Sequence, residues 1–188
     1  MLTGALLGGV VLAGAAAFLI LSYRLARIAG LASSSRLALA ATGFGILGVA
    51  QLLSAASYYS ADTRNAYMFY VGSASFSMAG YVMILMASAS RRAALYAVSP
   101  ALLLPSSIDV VASLLACILA YMTGGVARLG FTVLALSHVM RAIPLLEGGL
   151  HLGPALSFLV LLGEVVRAVS ASALALFYTK GALSHEAE

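Results

Sequence analysis

Ionisable side chains inside apolar segments are the residues of this sequence best suited to chemistry. His138, Glu164 and Arg167 each lie within a long apolar run. A charge is costly in lipid, so such residues are expected to face the interior of a helix bundle and to pair there. Glu164 and Arg167 are three residues apart, which puts them on the same face of a helix. These three residues are predicted to form a polar relay or ligand site near the middle of a membrane.

A second group of ionisable residues is predicted nearer to the outer surface. Asp109 and Arg141 both fall toward the outer ends of their apolar runs, and Glu147 and His151 follow Arg141 along the chain. These four residues are predicted to form an outer polar cluster. Buried charges fix the register of helices in some proteins and line proton or ligand paths in others. The residue types are compatible with both a structural role in helix register and a functional role in a proton or ligand path.

Cofactor and metal sites have little support in the sequence. A bis-histidine haem needs two histidines at matching depth in the membrane. The depths of His138 and His151 differ by roughly eight residues, which is about 12 Å at a helical rise of 1.5 Å per residue. A methionine such as Met140 could supply a second ligand, so haem b stays an alternative. Cys117 is the only cysteine, which excludes an internal disulfide and a cysteine-based zinc site. No metal site is predicted.

No catalytic motif is predicted either, and the protein is not expected to be an enzyme. Residues 43–48, Gly-Phe-Gly-Ile-Leu-Gly, match the pattern GxGxxG, but a dinucleotide site needs a preceding strand. Here the motif lies inside an apolar run, where a phosphate would have to enter lipid. Gly4 and Gly8, and likewise Ser73 and Ser77, are spaced as small residues are where helices pack closely.

The composition explains why these side chains need a membrane around them. The chain is 63% hydrophobic and 9% charged, with a mean hydropathy of +1.07, whereas soluble domains carry about 25% charged residues. Lipid must therefore be the solvent for much of the surface. The net charge of +4 comes from basic residues at the ends of apolar runs, so nucleic acid is not an expected partner. The single Asn and single Gln fit a thermophilic source.

The apolar runs predict an all-α, polytopic transmembrane helix bundle of seven helices. A span needs about 20 apolar residues. Residues 93–122 are too many for one span and are interrupted by Pro100 and Pro105, so we divide them at Pro105. A six-helix alternative leaves this region undivided. The predicted helices cover residues 2–21, 37–58, 67–88, 93–104, 108–122, 126–146 and 152–178.

Charge placement predicts that the N-terminus is outside and the C-terminus inside. The first apolar run is followed, not preceded, by arginines, so we expect a retained helix rather than a cleaved signal. With seven helices most basic residues fall on the inner side, while Arg64 and Arg141 do not. We predict one transmembrane domain over residues 1–180 and a short polar cytoplasmic tail over residues 181–188. The expected location is the cell membrane, as a multi-pass protein.

Three functions agree with these features. The leading hypothesis is a non-catalytic subunit or partner-binding module of a larger membrane assembly, which contacts lipid and other subunits or a second copy. It rests on the scarcity of polar surface and on the small-residue helix faces. One alternative is a small carrier, channel or haem b electron-transfer protein that uses a His/Glu/Arg relay in the last two helices. The other alternative is a seven-helix membrane sensor.

Overall fold

The computed structural model describes residues 2–88, 108–146 and 154–185. Within these ranges the chain is helical and contains no strand. Short polar turns separate consecutive helices where the structure describes the connection. The six helices are α1 (Leu2–Ala32), α2 (Ser35–Tyr59), α3 (Thr63–Ser88), α4 (Ile108–Met122), α5 (Gly125–Leu146) and α6 (Pro154–His185).

The prediction of an all-helical protein is confirmed for this part of the chain. The predicted helix at residues 93–104 lies outside the described residues, and so do Glu147 and His151. Six of the seven predicted helices therefore have a counterpart in the structure.

Four of the described helices are long and apolar enough to cross a membrane. A fifth helix, α4, is apolar but shorter. Large apolar side chains point outward from the bundle, among them Leu6, Leu129 and Leu176, each more than 60% exposed. Outward apolar faces on helices of this length fit an integral membrane protein surrounded by lipid. The four spans are Ala5–Ala32, Ser35–Tyr59, Arg64–Ser88 and Phe158–Tyr178.

The helices form a closed ring in chain order, in which each helix packs on the next and α6 returns to α1. The Ser22 hydroxyl of α1 donates to the Ala41 carbonyl of α2 at 2.7 Å. The Ser170 hydroxyl of α6 donates to the Gly130 carbonyl of α5 at 2.6 Å. We call the end of the bundle at residues 60–62 the α2–α3 end, and the opposite end, at residues 33–34, the α1–α2 end.

The directions of the helices follow from pairs of contacts. Helices α2 and α6 are antiparallel, because Tyr58 contacts Glu164 while Phe44 contacts Tyr178. In the same way α2 is antiparallel to α3, α4 to α5, and α5 to α6. Helices α3 and α4 must then run in the same direction. Ser88 therefore lies at the α1–α2 end of the bundle, whereas α4 begins at the α2–α3 end.

The interior near the α1–α2 end is apolar and tightly packed. Phe18 and Phe44 stack with ring centroids 6.2 Å apart, and they belong to the same buried apolar cluster as leucines from α4, α5 and α6. Helices α2 and α3 cross closely at two glycines, since a Cβ on Gly43 would lie 2.9 Å from the Gly80 carbonyl oxygen. The first glycine of the GxGxxG pattern thus serves helix packing.

Candidate functional site

Side chains from five helices meet in one buried polar network, with its charged members no more than 4% exposed. Only α1 among the described helices contributes none of them. We call this set the polar network. Its members are Ser54 and Tyr58 of α2, Tyr70 and Tyr81 of α3, Asp109 of α4, Ser137, His138 and Arg141 of α5, and Glu164 and Arg167 of α6.

A continuous chain of hydrogen bonds runs through one side of the network. Tyr70 donates its hydroxyl to Asp109 Oδ2. Asp109 Oδ1 lies 2.7 Å from His138 Nδ1, and His138 Nε2 lies 2.9 Å from the Tyr81 hydroxyl. A neutral imidazole whose Nδ1 proton is donated to Asp109 has Nε2 free to accept from Tyr81. We call this series the Tyr70–Tyr81 chain.

The other side of the network is built from ion pairs. Arg141 lies between the two carboxylates, with Nε 3.8 Å from Asp109 Oδ2 and Nη1 3.4 Å from Glu164 Oε1. Its guanidinium carbon is 4.9 Å from the centre of the Tyr70 ring. Arg167 Nη1 is 3.8 Å from Glu164 Oε2. Two arginines and two carboxylates balance in charge, which favours their joint burial in an apolar interior.

Helix α2 supports Glu164 from the opposite direction. Tyr58 donates its hydroxyl to Glu164 Oε1 at 3.0 Å, and Ser54 does so at 3.5 Å. Ser54 is buried and Tyr58 is partly buried, and the two are four residues apart, so one face of α2 presents both hydroxyls. The carboxylate is thereby held between α2 and the two arginines.

Arg167 connects the two sides and allows a second arrangement of protons. Its Nε donates to the Ser137 hydroxyl at 3.3 Å, and its Nη2 lies 3.1 Å from His138 Nδ1. Nδ1 can accept from Arg167 only when it carries no proton, and the neutral imidazole then carries its proton on Nε2, where it donates to the Tyr81 hydroxyl. The close contact between Nδ1 and Asp109 Oδ1 then needs a proton on the carboxyl group. The same positions of the heavy atoms therefore suit two protonation states of the Asp109–His138 pair, which differ by one proton.

Several buried polar atoms of this region make no hydrogen bond within the described part of the chain. They are Ser73 Oγ, Arg141 Nη1, Glu164 Oε2 and Arg167 Nη1. Leaving a buried polar group unsatisfied costs about 1–3 kcal/mol. Three of the four atoms belong to the ion pairs, whose separations exceed normal hydrogen-bond lengths. The centre of the network thus keeps hydrogen-bonding capacity for a small polar species.

Local features of the helices bring these groups together. A Cβ on Gly163 would lie 3.2 Å from Met140 Cβ and 3.4 Å from the Ser137 carbonyl oxygen, so the glycine lets α6 approach α5 next to Glu164. Asp109 lies in the first turn of α4, where the helix dipole favours a negative charge.

The structure brings the two predicted groups into one network. Asp109 and Arg141 do not form a separate outer cluster, because Asp109 contacts His138 directly and Arg141 contacts Glu164. Whether these residues have a functional role stays a prediction.

The tyrosines, Ser54 and Ser137 were not predicted from the sequence. A signal was available, since Tyr70, Ser73, Ser77 and Tyr81 recur at helical spacing and lie on the inward side of α3.

A haem or metal does not fit the described donors. His138 uses both ring nitrogens inside the network, so axial ligation would break the Tyr70–Tyr81 chain. No group of three or more His, Cys, Asp or Glu side chains suited to a metal occurs among the described residues.

The chain matches no known protein family, no curated protein and no solved structure. The polar network is therefore the basis for a functional proposal.

Proposed function

We propose that the protein is a multi-pass membrane protein that relays protons through the polar network. The observation that carries this proposal is the Tyr70–Tyr81 chain, which lines up a carboxylate and an imidazole between two phenols in an apolar interior. An imidazole can take up a proton at one ring nitrogen and release one from the other. The two protonation states of the Asp109–His138 pair, which differ by one proton, supply the local step that a relay needs.

The relay covers only part of the bundle. Tyr70 and Tyr81 are eleven residues apart in α3, which is about 16 Å at 1.5 Å per residue. One turn beyond Tyr81, the fully buried Leu85 begins the apolar core, which also holds Leu119 and Phe131. A polar path that ends in an apolar core supports slow transfer by a proton carrier rather than flow through an open channel.

Purely structural pairing explains the network less well. Buried ion pairs add little stability over apolar packing, and three atoms of the ion pairs lack hydrogen bonds within the described residues. Ionisable residues within membrane spans commonly line ion and proton pathways. The relay, an alternative in the sequence interpretation, is therefore the function that the geometry supports best.

The arrangement of helices also supports the predicted topology of seven crossings with the N-terminus outside. Because α3 and α4 run in the same direction, Ser88 and Ile108 lie at opposite ends of the bundle, as seven crossings require. Exposed arginines gather near the α1–α2 end, whereas Arg64 is near the other end. Basic residues favour the cytoplasmic side, so the polar network lies nearer to the outer surface. The arginines near the α1–α2 end are Arg24, Arg27, Arg36 and Arg128.

Proton flux into liposomes tests the relay. Purified protein is reconstituted with an internal pH dye, and a potassium diffusion potential drives protons inward. We expect wild-type protein to exceed empty liposomes, and Tyr81→Phe and Asp109→Asn to lower the flux at least tenfold. Tyr121→Phe, a change at an exposed tyrosine of α4, is the matched control. Flux equal to that of empty liposomes would rule out the relay.

A second candidate, the partner-binding module, is favoured by the outer face of α1. Ala5, Gly9 and Ala13 recur at four-residue spacing and are exposed. A Cβ on Gly9 would meet nothing within 4 Å. Small residues at this spacing let another helix approach closely, either from a second copy or from another membrane subunit.

Native mass spectrometry in mild detergent tests this candidate. We expect an oligomer or a co-purifying membrane protein that Gly9→Leu removes. Ser172→Leu, at an exposed position of α6, should leave the assembly intact. A lone monomer without companions would count against the partner-binding module.

A further inference from the structure

A groove opens on the surface between the second half of α1 and the first half of α2. It encloses about 600 Å³, and every residue that lines it is Ala, Gly, Ser or Thr. Ala26 and Ala29 form part of one wall, and Ala38 and Ala41 form part of the other. We call this feature the α1–α2 groove. It lies at the end of the bundle opposite to the polar network.

The walls of the groove present apolar surface in spite of their hydroxyl groups. The Ser22 hydroxyl is used in a hydrogen bond to the Ala41 carbonyl at 2.7 Å. The Thr42 hydroxyl donates to the Ala38 carbonyl at 2.9 Å. Both helices are candidate membrane spans, so the inner part of the groove, near Ser22 and Thr42, faces hydrocarbon. Its width, set by alanine and glycine, suits an unbranched apolar chain.

The mouth of the groove, in contrast, can donate hydrogen bonds. Ser33 has φ 49°, and it ends α1 so that the chain reverses at once into α2. Ser34 caps α2 by accepting from the Leu37 amide at 3.4 Å. The first amides of a helix have no partner within the helix, and its N-terminus carries partial positive charge. Ser33 and Ser35 add two exposed hydroxyls.

The charge around the mouth is positive, and α1 and α2 contain no acidic residue that would balance it. Arg24, Arg27 and Arg36 are exposed, and Arg27 and Arg36 are next in sequence to the lining residues Ala26 and Ser35. The first acidic residue of the chain is Asp62, which lies at the opposite end of the bundle. An anion with an apolar tail would complement both the mouth and the walls.

We infer that the α1–α2 groove binds an anionic phospholipid. Its phosphate lies at the start of α2 within reach of Arg27 and Arg36, and one acyl chain lies between the alanine walls. A zwitterionic lipid fits the walls equally well but brings a positive group toward the arginines. Anionic headgroups are enriched in the cytoplasmic leaflet, where basic residues attract them. This lipid site is independent of the proton relay.

Thermal unfolding and native mass spectrometry with defined lipids test the inference. Delipidated protein receives phosphatidylglycerol or phosphatidylcholine with identical acyl chains. We expect phosphatidylglycerol to raise Tm and to bind at least fivefold more tightly than phosphatidylcholine. Arg27→Gln with Arg36→Gln should remove this preference, while Arg64→Gln, at the other end of the bundle, should keep it. Inorganic phosphate alone should give no shift in Tm, because it lacks the apolar chain.

Filling the groove gives a second line of evidence. Ala38→Leu adds bulk to one wall and keeps all the arginines, so we expect it to weaken phosphatidylglycerol binding at least fivefold. The inference fails if phosphatidylglycerol is not preferred, or if the preference survives the double arginine change. It also fails if Ala38→Leu disrupts a dimer and leaves lipid binding unchanged, because the occupant is then a second copy of the chain.

Discussion

Glu164 is the residue on which the two arginines of the polar network converge, and it also accepts from Tyr58. Glu164→Gln keeps the size of the side chain but leaves the charge of Arg167 without its partner. We expect the free energy of unfolding to fall by about 3 kcal/mol, since breaking a buried pair leaves an uncompensated charge. Unfolding in SDS measures this change.

The charge explanation can be separated from a loss of packing. Adding Arg167→Gln to Glu164→Gln removes the uncompensated charge, so the double variant should be more stable than the sum of the two single effects predicts. Additive losses would contradict a direct pairing of Glu164 and Arg167.

Tyr81 is the deepest member of the Tyr70–Tyr81 chain and contacts His138 with its ring as well as its hydroxyl. Tyr81→Phe removes the group facing His138 Nε2 and keeps the ring. We expect a loss of about 1–2 kcal/mol in unfolding free energy and a shift in the ¹⁵N signals of the imidazole. Tyr121→Phe, at a residue that is 87% exposed, should change neither quantity.

The charged residues of the polar network could be predicted from the sequence, but the contacts between their side chains could not. Asp109, His138, Arg141, Glu164 and Arg167 stood out because each is costly in lipid. Their division into two clusters by depth ignored the length of an arginine side chain, which lets Arg141 reach both carboxylates. The tyrosines gave a weaker signal, because a phenol also fits apolar packing and membrane interfaces.

Close crossing of α2 and α3 depends on two glycines that face each other. A Cβ on Gly80 would lie 2.9 Å from the Gly43 carbonyl oxygen and 2.8 Å from Leu47 Cγ. We expect Gly80→Ala to lower the unfolding free energy by about 1–3 kcal/mol through overpacking. Gly9→Ala, where the new methyl group meets nothing, should leave stability unchanged or slightly higher. Equal effects of the two changes would contradict the close crossing.

Helix positions were predictable from the apolar runs, but helix ends were less so. The second predicted helix, residues 37–58, falls inside α2. The first was predicted to stop at residue 21, yet α1 continues to Ala32. The length of an apolar run reflects the thickness of the bilayer. Leu, Ala and Arg have a high helix propensity, so they continue the helix beyond the end of the apolar run. The helix ends only at Ser33, where the backbone reverses.

The molecule is polar inside near one end and apolar inside near the other. The polar network occupies the half near the α2–α3 end, and the aromatic and leucine core occupies the half near the α1–α2 end. The α1–α2 groove and four exposed arginines, Arg24, Arg27, Arg36 and Arg128, lie at the apolar end. This asymmetry makes orientation in the membrane decisive, since it sets the side that the proposed relay faces.

Cysteine accessibility measures that orientation. Cys117 is exposed on α4, so Cys117→Ser provides the background for Ala61→Cys in the α2–α3 turn and Gly124→Cys between α4 and α5. We expect a membrane-impermeant maleimide to label Ala61→Cys in intact cells and Gly124→Cys only after permeabilisation, because basic residues favour the cytoplasmic side. The reverse pattern would make the relay open to the cytoplasm. Labelling of both positions in intact cells would contradict the antiparallel packing that puts the two turns at opposite ends of the bundle.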